Sequence, residues 1–206
     1  MRPLQTDAMF DVSRETIHQL ANYEALVKKW NLKINLISKQ SVEHIFQRHI
    51  VDSIQLFKLA NPNFNVWCDL GSGGGFPGMV IALLAREKCP GAKVILVESD
   101  QRKCVFLREA ARLLHLDVEI KNQRIEDLAS LGADVLSARA LAPLVKLCEF
   151  ADLHLGDCGR AIFPKGSNHR AEIDDARKSW MFDITSHPSF TDPDAAILVL
   201  GNIRHV

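Results

Sequence analysis

The chain has 206 residues, long enough for one well-buried α/β domain with an appendage but too short for a cofactor domain plus a full-sized substrate domain. Hydrophobic residues make up 47% and charged residues 24%, a composition that excludes a disordered chain; the longest apolar stretches, such as Met79–Ala85 and Val94–Val97, are far below the roughly 18 residues that span a bilayer. Lys plus Arg equals Asp plus Glu at 25 each, so no whole-molecule field draws the protein to a polyanion and any such site must be a local patch.

The first residues, Met1-Arg-Pro-Leu-Gln-Thr-Asp, lack the apolar core of a signal peptide, and a cytoplasmic protein is expected. Residues 10–60 read as helical. One apolar stripe runs Ile17, Leu20, Ala21, Tyr23, Val27, Trp30, and a second runs Val42, Ile45, Phe46, Ile50, Ile54, Phe57, with Ser41 as its N-cap and Asn61-Pro62-Asn63 as its end. Residues 1–62 are therefore taken as a helical extension and 63–206 as the main domain.

From residue 65 short apolar runs alternate with helical stretches, the pattern of a parallel sheet with crossover helices. Strands are predicted at Val66–Leu70, Lys93–Val97, Val118–Lys121, Val135–Ala138 and Arg160–Phe163, with helices at about 77–87, 101–115, 143–154 and 168–179. The last two runs, Phe182–Thr185 and Ala196–Leu200, are joined by a segment too short for a crossover helix, which predicts an antiparallel pair. The five cysteines are scattered with no Cys-x-x-Cys pair, so neither a disulfide framework nor a metal site is expected. Cys148 in a predicted helix and Cys158 in a predicted turn are read as structural.

The segment Asp69-Leu-Gly-Ser-Gly-Gly-Gly-Phe-Pro-Gly78 sits where a strand hands over to a helix, and Glu98 follows the next strand. Its glycines permit tight turning and close approach of backbone to a ligand, and Pro77 suits a first helical turn. Gly73 to Gly78 also satisfies G-x-G-x-x-G, so the loop alone fits two cofactor classes, nicotinamide dinucleotides and S-adenosylmethionine. Asp69 tips the choice, because an acid at the loop entrance favours a ligand carrying a sulfonium and an ammonium and opposes a pyrophosphate. Glu98 would then accept hydrogen bonds from the ribose hydroxyls. The bland alternative has Asp69 capping the helix and Glu98 as an ordinary surface acid. Ile125 and Glu126, after the third strand, are candidates for the adenine side.

The segment Ser137-Ala-Arg139-Ala-Leu after the fourth strand contains no Asn/Asp-Pro-Pro-Tyr for an exocyclic amine, and no Pro-Cys pair supplies a thiolate. That absence favours a nucleophile needing no deprotonation, such as guanine N7. Methylation there makes the ring cationic, so Arg139 should address guanine O6, a phosphate or the cofactor carboxylate instead.

Taken together, Trp30-Asn31 with Asn35-Leu36, Arg48-His-Ile-Val-Asp-Ser-Ile54, Asp69–Gly78, Arg124-Ile-Glu-Asp127, Arg139-Ala140 and Lys165-Gly166 resemble, in order, the motifs of the bacterial 16S ribosomal RNA guanine-N7 methyltransferases. That family is methyltransferase G of the small subunit, once called glucose-inhibited division protein B. The resemblance implies a class I methyltransferase fold, Rossmann-like, mostly parallel with an antiparallel C-terminal strand. It also implies in-line transfer from S-adenosylmethionine, released as S-adenosylhomocysteine, to N7 of guanine 527 (standard rRNA numbering) in the decoding-region hairpin of 16S rRNA.

On that resemblance Gly71, Gly73, Phe76, Ile125, Glu126 and Arg139 contact the cofactor, alongside Asp69, Gly75 and Glu98 from the loop reading. Arg139 and Lys165 are the catalytic candidates. Arg48, His49, Arg102, Lys103, Lys165 and Arg170 are candidates for the RNA surface, with Asp52 as a possible partner of His49. A monomer without metal or membrane contact is expected. Two positions depart from the family pattern: Ala138 precedes Arg139, with Ser137 one place earlier, and Pro164 precedes Lys165. A methyltransferase of another substrate class, a nicotinamide oxidoreductase and a non-catalytic RNA-binding factor remain the alternatives.

Overall fold

The computed structural model describes residues 11–206; Phe10, where the helical reading begins, and the leading Met1–Asp7 stretch lie outside the described residues. The first helix, α1 (Arg14–Asn31), starts at Ser13, whose Oγ accepts the Thr16 N–H at 3.1 Å. Its buried stripe of Ile17, Leu20, Tyr23 and Val27 follows the predicted face, except that Ala21 is exposed, lying one position off that face. Asn31 closes the helix: its Oδ1 accepts the N–H groups of Leu36 (2.8 Å) and Ile37 (3.0 Å), which is what the Trp30-Asn31 and Asn35-Leu36 signature accomplishes.

The second stripe is not one helix. Lys39–His44 is a 3₁₀ segment, Phe46–Val51 a π-type turn, and only α2 (Asp52–Leu59) is regular. Ser41 is not its N-cap; it is buried inside the 3₁₀ segment, with its hydroxyl 2.8 Å from that of Ser38. Ile45, Ile50 and Ile54 are nonetheless buried as the stripe requires, because tight and wide turns in succession offset each other in pitch.

The main domain follows as β1 (Val66–Leu70), α3 (Gly78–Lys88), β2 (Lys93–Val97), α4 (Gln101–Leu113), β3 (Val118–Lys121), β4 (Ala133–Ala138), α5 (Leu144–His154), β5 (Leu155–Lys165), α6 (His169–Ala176), β6 (Trp180–Pro188) and β7 (Ala196–His205). The sheet order is β3-β2-β1-β4-β5-β7-β6, with β1 to β5 parallel and β7 antiparallel to both neighbours, as the short β6–β7 connection requires. β5 is longer than predicted and contains Cys158, which is an exposed strand residue rather than a turn residue. The sheet order reverses between β1 and β4, so the carboxyl ends of those two strands flank the crevice where an open α/β sheet takes its ligand.

One face of the sheet is covered by α3 and α4, and α1, α2 and the irregular segments pack over them, so that Tyr23, Val27, Ile45 and Ile54 share a core with Trp67, Met79 and Phe106. The other face is covered by α5 and α6. The N-terminal segments thus reach the glycine loop directly. The Tyr23 hydroxyl donates to the Gly74 carbonyl, and burial raises its pKa well above the usual value, so it stays a donor. Tyr23→Phe leaves that carbonyl buried without its donor and is expected to cost about 2 kcal/mol, read as a lower urea midpoint with an unchanged slope. Among the described residues no helix is long and apolar enough to cross a membrane.

Candidate functional site

Gly71 leaves β1 in the left-handed region at φ 63°, and a Cβ there would stand 2.6 Å from the Leu141 side chain. Only glycine lets the loops after β1 and β4 close on each other at the crevice. Gly75 is also left-handed, at φ 81°, and a Cβ on it would strike the Tyr23 hydroxyl, Met79 and Leu107. The lack of a side chain there lets α1 dock on the loop.

A cavity of about 450 Å³ opens at the carboxyl ends of β1 to β4. It brings together Gly71, Gly73, Glu98, Ile125, Glu126 and Arg139, six of the nine residues expected around the cofactor, and adds Lys103 from the first turn of α4. Glu98 is buried; its Oε2 accepts the Gly73 N–H and its Oε1 the Asp100 N–H, each at 2.8 Å, so it fixes the glycine loop from the cavity wall. The Ile125 carbonyl lies 3.1 Å from Nε2 of His154, whose burial lowers its pKa.

Three expected contacts lie outside this lining. Asp69 is fully buried beneath the loop: Oδ2 accepts the Gly78 N–H at 3.1 Å and Oδ1 accepts the Ser137 hydroxyl at 2.8 Å. Ser137 in turn accepts the Trp67 indole N–H at 2.9 Å. The capping alternative is thus the geometry realised, and Asp69 orders the loop and α3 instead of facing the cofactor's charges. Burial pushes its pKa up to about 6, against hydrogen bonds from Ser137, Ser72 and Gly78 and the charge of Arg139. Gly75 and Phe76 are the other two. Phe76 packs between Tyr23 and His49, with the Arg139 guanidinium 5.5 Å from its ring centroid.

Arg139 joins this cavity to a second one of about 300 Å³, lined also by Asp52, Ala140, Pro164, Lys165, Glu172 and Thr191. Its Nη1 donates to the Arg48 carbonyl at 3.2 Å, and burial lowers its pKa against the opposing charges of Asp52 and Asp69. Lys165, expected as a catalytic and RNA-binding cation, is committed: Nζ is 2.5 Å from Glu172 Oε2 and donates to the Ala142 carbonyl at 3.1 Å. Glu172 also accepts the Leu144 N–H, so Lys165 braces the wall between β5, α5 and α6. Of the departures from the pattern, Ala138 is buried at the end of β4 while Ser137, one place earlier, links Trp67 to Asp69, and Pro164 lines the second cavity from within β5.

The basic surface is smaller than expected. Arg48 is exposed beside Arg139, Arg102 and Lys103 open α4, and Arg170 opens α6, all at the carboxyl edge of the sheet. Arg102 is 77% exposed although it pairs with Asp100. His49 does not belong to this set. Its ring stacks on Phe76 at 5.0 Å, both nitrogens are buried without a hydrogen-bond partner among the described residues, and burial with the charges of Arg139 and Arg48 lowers its pKa to about 3. Asp52 is not its partner: Asp52 Oδ1 accepts from the Thr191 hydroxyl and, at 3.3 Å, from Gln55. The pairing of α2 with the β6–β7 loop, 139 positions away, leaves no local sequence signal.

The sequence model of the rRNA small subunit methyltransferase G family matches residues 16–197. Among curated relatives, the ribosomal RNA small subunit methyltransferase G of Ruegeria sp. (strain TM1040) is 49% identical, with 95% of this chain and 95% of that protein covered. That of Cereibacter sphaeroides (strain ATCC 17025 / ATH 2.4.3) is 52% identical over 95% of this chain and 94% of its own. Among solved structures, a SAM dependent methyltransferase from Aquifex aeolicus aligns with a TM-score of 0.58 at 13% identity, covering 86% of this chain and 97% of that one, a likeness of fold.

Proposed function

We propose, from the premise that this chain belongs to the rRNA small subunit methyltransferase G family, that it methylates N7 of guanine 527 in 16S rRNA with S-adenosylmethionine as donor. The observation that carries the reading is the pair of adjoining cavities that share Arg139 and Ala140, one suited to the cofactor and one open to a substrate base.

The first cavity fits this donor on its own chemistry. Glu98 stands on its wall at the carboxyl end of β2, where a ribose diol can donate to it; the lining also carries Lys103, Arg124, Arg139 and Lys146, so the placement of that carboxylate, not the net charge of the wall, supports this donor. Glu98 retains lone pairs for the ribose hydroxyls beyond the two N–H groups it already accepts, and the segment Ile125–Asp127 flanks the adenine side. When bound, the donor supplies an electrophilic methyl on a sulfonium.

What the chain then has to do is hold an electron pair in line with that methyl, at a separation of about 3 Å. Guanine N7 carries a free lone pair in the neutral base, so no residue is asked to remove a proton. Arg139 stands at the junction of the cavities, where it can donate to O6, the acceptor beside N7 on the same edge of the base, and so orient the ring while standing off N7 itself. Lys165, through Glu172, keeps the wall after β5 in place.

The test is incubation of the protein with labelled cofactor and small subunits that lack the modification, followed by chemical strand cleavage at N7-methylguanine. Cleavage at the decoding-region hairpin alone is the expected result. Tight binding of S-adenosylhomocysteine with no cleavage there would move the substrate elsewhere, and binding of NAD in its place would overturn the cofactor assignment.

A further inference from the structure

We propose that the second cavity seats the target guanine, with the Asp52 carboxylate accepting hydrogen bonds from its N1–H and 2-amino groups while Arg139 donates to O6. The assignment rests on the N7 reading above and adds the residue that distinguishes guanine from adenine.

The order of groups along the two cavities carries it. Arg139 lines both, whereas Asp52 lines only the second. Along the edge of guanine the order is N7, O6, N1–H and 2-amino, which are methyl acceptor, hydrogen-bond acceptor, donor and donor. With N7 at the first cavity, the following positions call for a donor and then an acceptor, which is the order Arg139 then Asp52. Adenine would present its 6-amino donor to Arg139 and its N1 lone pair to Asp52, a mismatch at both positions.

Asp52 is also prepared for the task. Among the described residues the hydrogen bonds it accepts, from Thr191 and Gln55, fall on Oδ1, which anchors the carboxylate by one oxygen and leaves Oδ2 for a ligand. The other cavity carboxylates are occupied differently: Glu172 holds Lys165 and the Leu144 N–H, and Asp192 accepts the Asp194 N–H. At the rim the β6–β7 loop presents Phe190, 68% exposed, while Gln55 Oε1 accepts the Phe190 N–H at 2.8 Å and pins the loop to α2. An aromatic ring held out to solvent beside a base pocket offers the stacking surface that single-stranded RNA recognition uses.

The experiment is a substrate-by-variant cycle on small subunits assembled in vitro from unmodified 16S rRNA, with guanine or inosine at the target position. Inosine keeps N7, O6 and N1–H but lacks the 2-amino group. With the unaltered protein, inosine is expected to lower kcat/KM roughly 10-fold. Asp52→Asn is expected to lower kcat/KM on guanine roughly 100-fold, to discriminate little between the two bases, and to keep the affinity for S-adenosylhomocysteine. Equal rates of the unaltered protein on both bases would overturn the assignment without recourse to any variant. So would an Asp52→Asn protein that keeps the original preference for guanine over inosine, whatever its rate, because that marks a purely structural residue. A failure of the N7 reading itself looks different: the unaltered protein then yields no strand cleavage on the guanine-bearing subunit.

Discussion

Arg139→Ala is expected to lower kcat/KM for unmodified small subunits by about 10³-fold, the largest single effect in the molecule, with a much smaller loss of S-adenosylhomocysteine affinity. The guanidinium lines both cavities, lies over Phe76 and donates to the Arg48 carbonyl, so its position is fixed before substrate arrives. A donor held in place at the junction would act by orientation, holding the base by O6 so that the N7 lone pair points along the line to the methyl. Arg139→Lys keeps the charge but not the planar fork that meets Phe76 and the Arg48 carbonyl together, and should fall between the two. Steady-state kinetics with the subunit, paired with calorimetry of S-adenosylhomocysteine, separates the substrate effect from the cofactor effect. Fully N7-methylated rRNA in cells whose only copy carries Arg139→Ala would contradict this role and favour a non-catalytic RNA-binding protein.

The Arg139 site also shows how far the sequence could be read. Each parallel strand announces itself by a short apolar run, and each delivers its site residue at its carboxyl end. Glu98 follows β2, Ile125 and Glu126 follow β3, and Arg139 follows β4, and the structure gathers them around one cavity; alternation placed the strand ends and the glycine loop pointed to Glu98, while Ile125, Glu126 and Arg139 were singled out by the resemblance. The antiparallel β6–β7 pair was legible for the opposite reason, a connection too short to cross over.

What periodicity could not see was pitch and distance. The stripe from Val42 to Phe57 reports which residues are buried, not that the backbone passes through 3₁₀ and π turns to reach α2. Hydrogen bonds between Asp52 and Thr191, or between Tyr23 and Gly74, depend on tertiary packing and have no spacing to betray them. Charge was legible as residue type but not as availability: Lys165 is consumed by Glu172, and His49 is kept neutral by burial. Asp69 was recognised as the decisive acid for a reason the fold revises, since it acts from beneath the loop.

That burial gives Asp69 a stability signature of its own. A carboxyl whose folded pKa is raised, here from 3.8 to about 6, takes up a proton more readily in the folded than in the unfolded chain. Its favourable contribution is therefore fully present below pH 4 and is lost as the pH rises through 6. The shift of about 2 units corresponds to roughly 3 kcal/mol. Asp69→Asn removes the titration while leaving an oxygen to accept the Gly78 N–H, so the difference between the two proteins isolates it from the other acids. In urea unfolding between pH 4.5 and 7.5, the stability of the unaltered chain relative to Asp69→Asn should fall with rising pH, most steeply near pH 6, and level off above pH 7. Parallel curves across that range would mean that the buried carboxylate is fully compensated by Ser137, Ser72, Gly78 and Arg139. At neutral pH the anion is then held at a cost in stability, offset in part by the hydrogen bonds it accepts and by the opposing charge of Arg139.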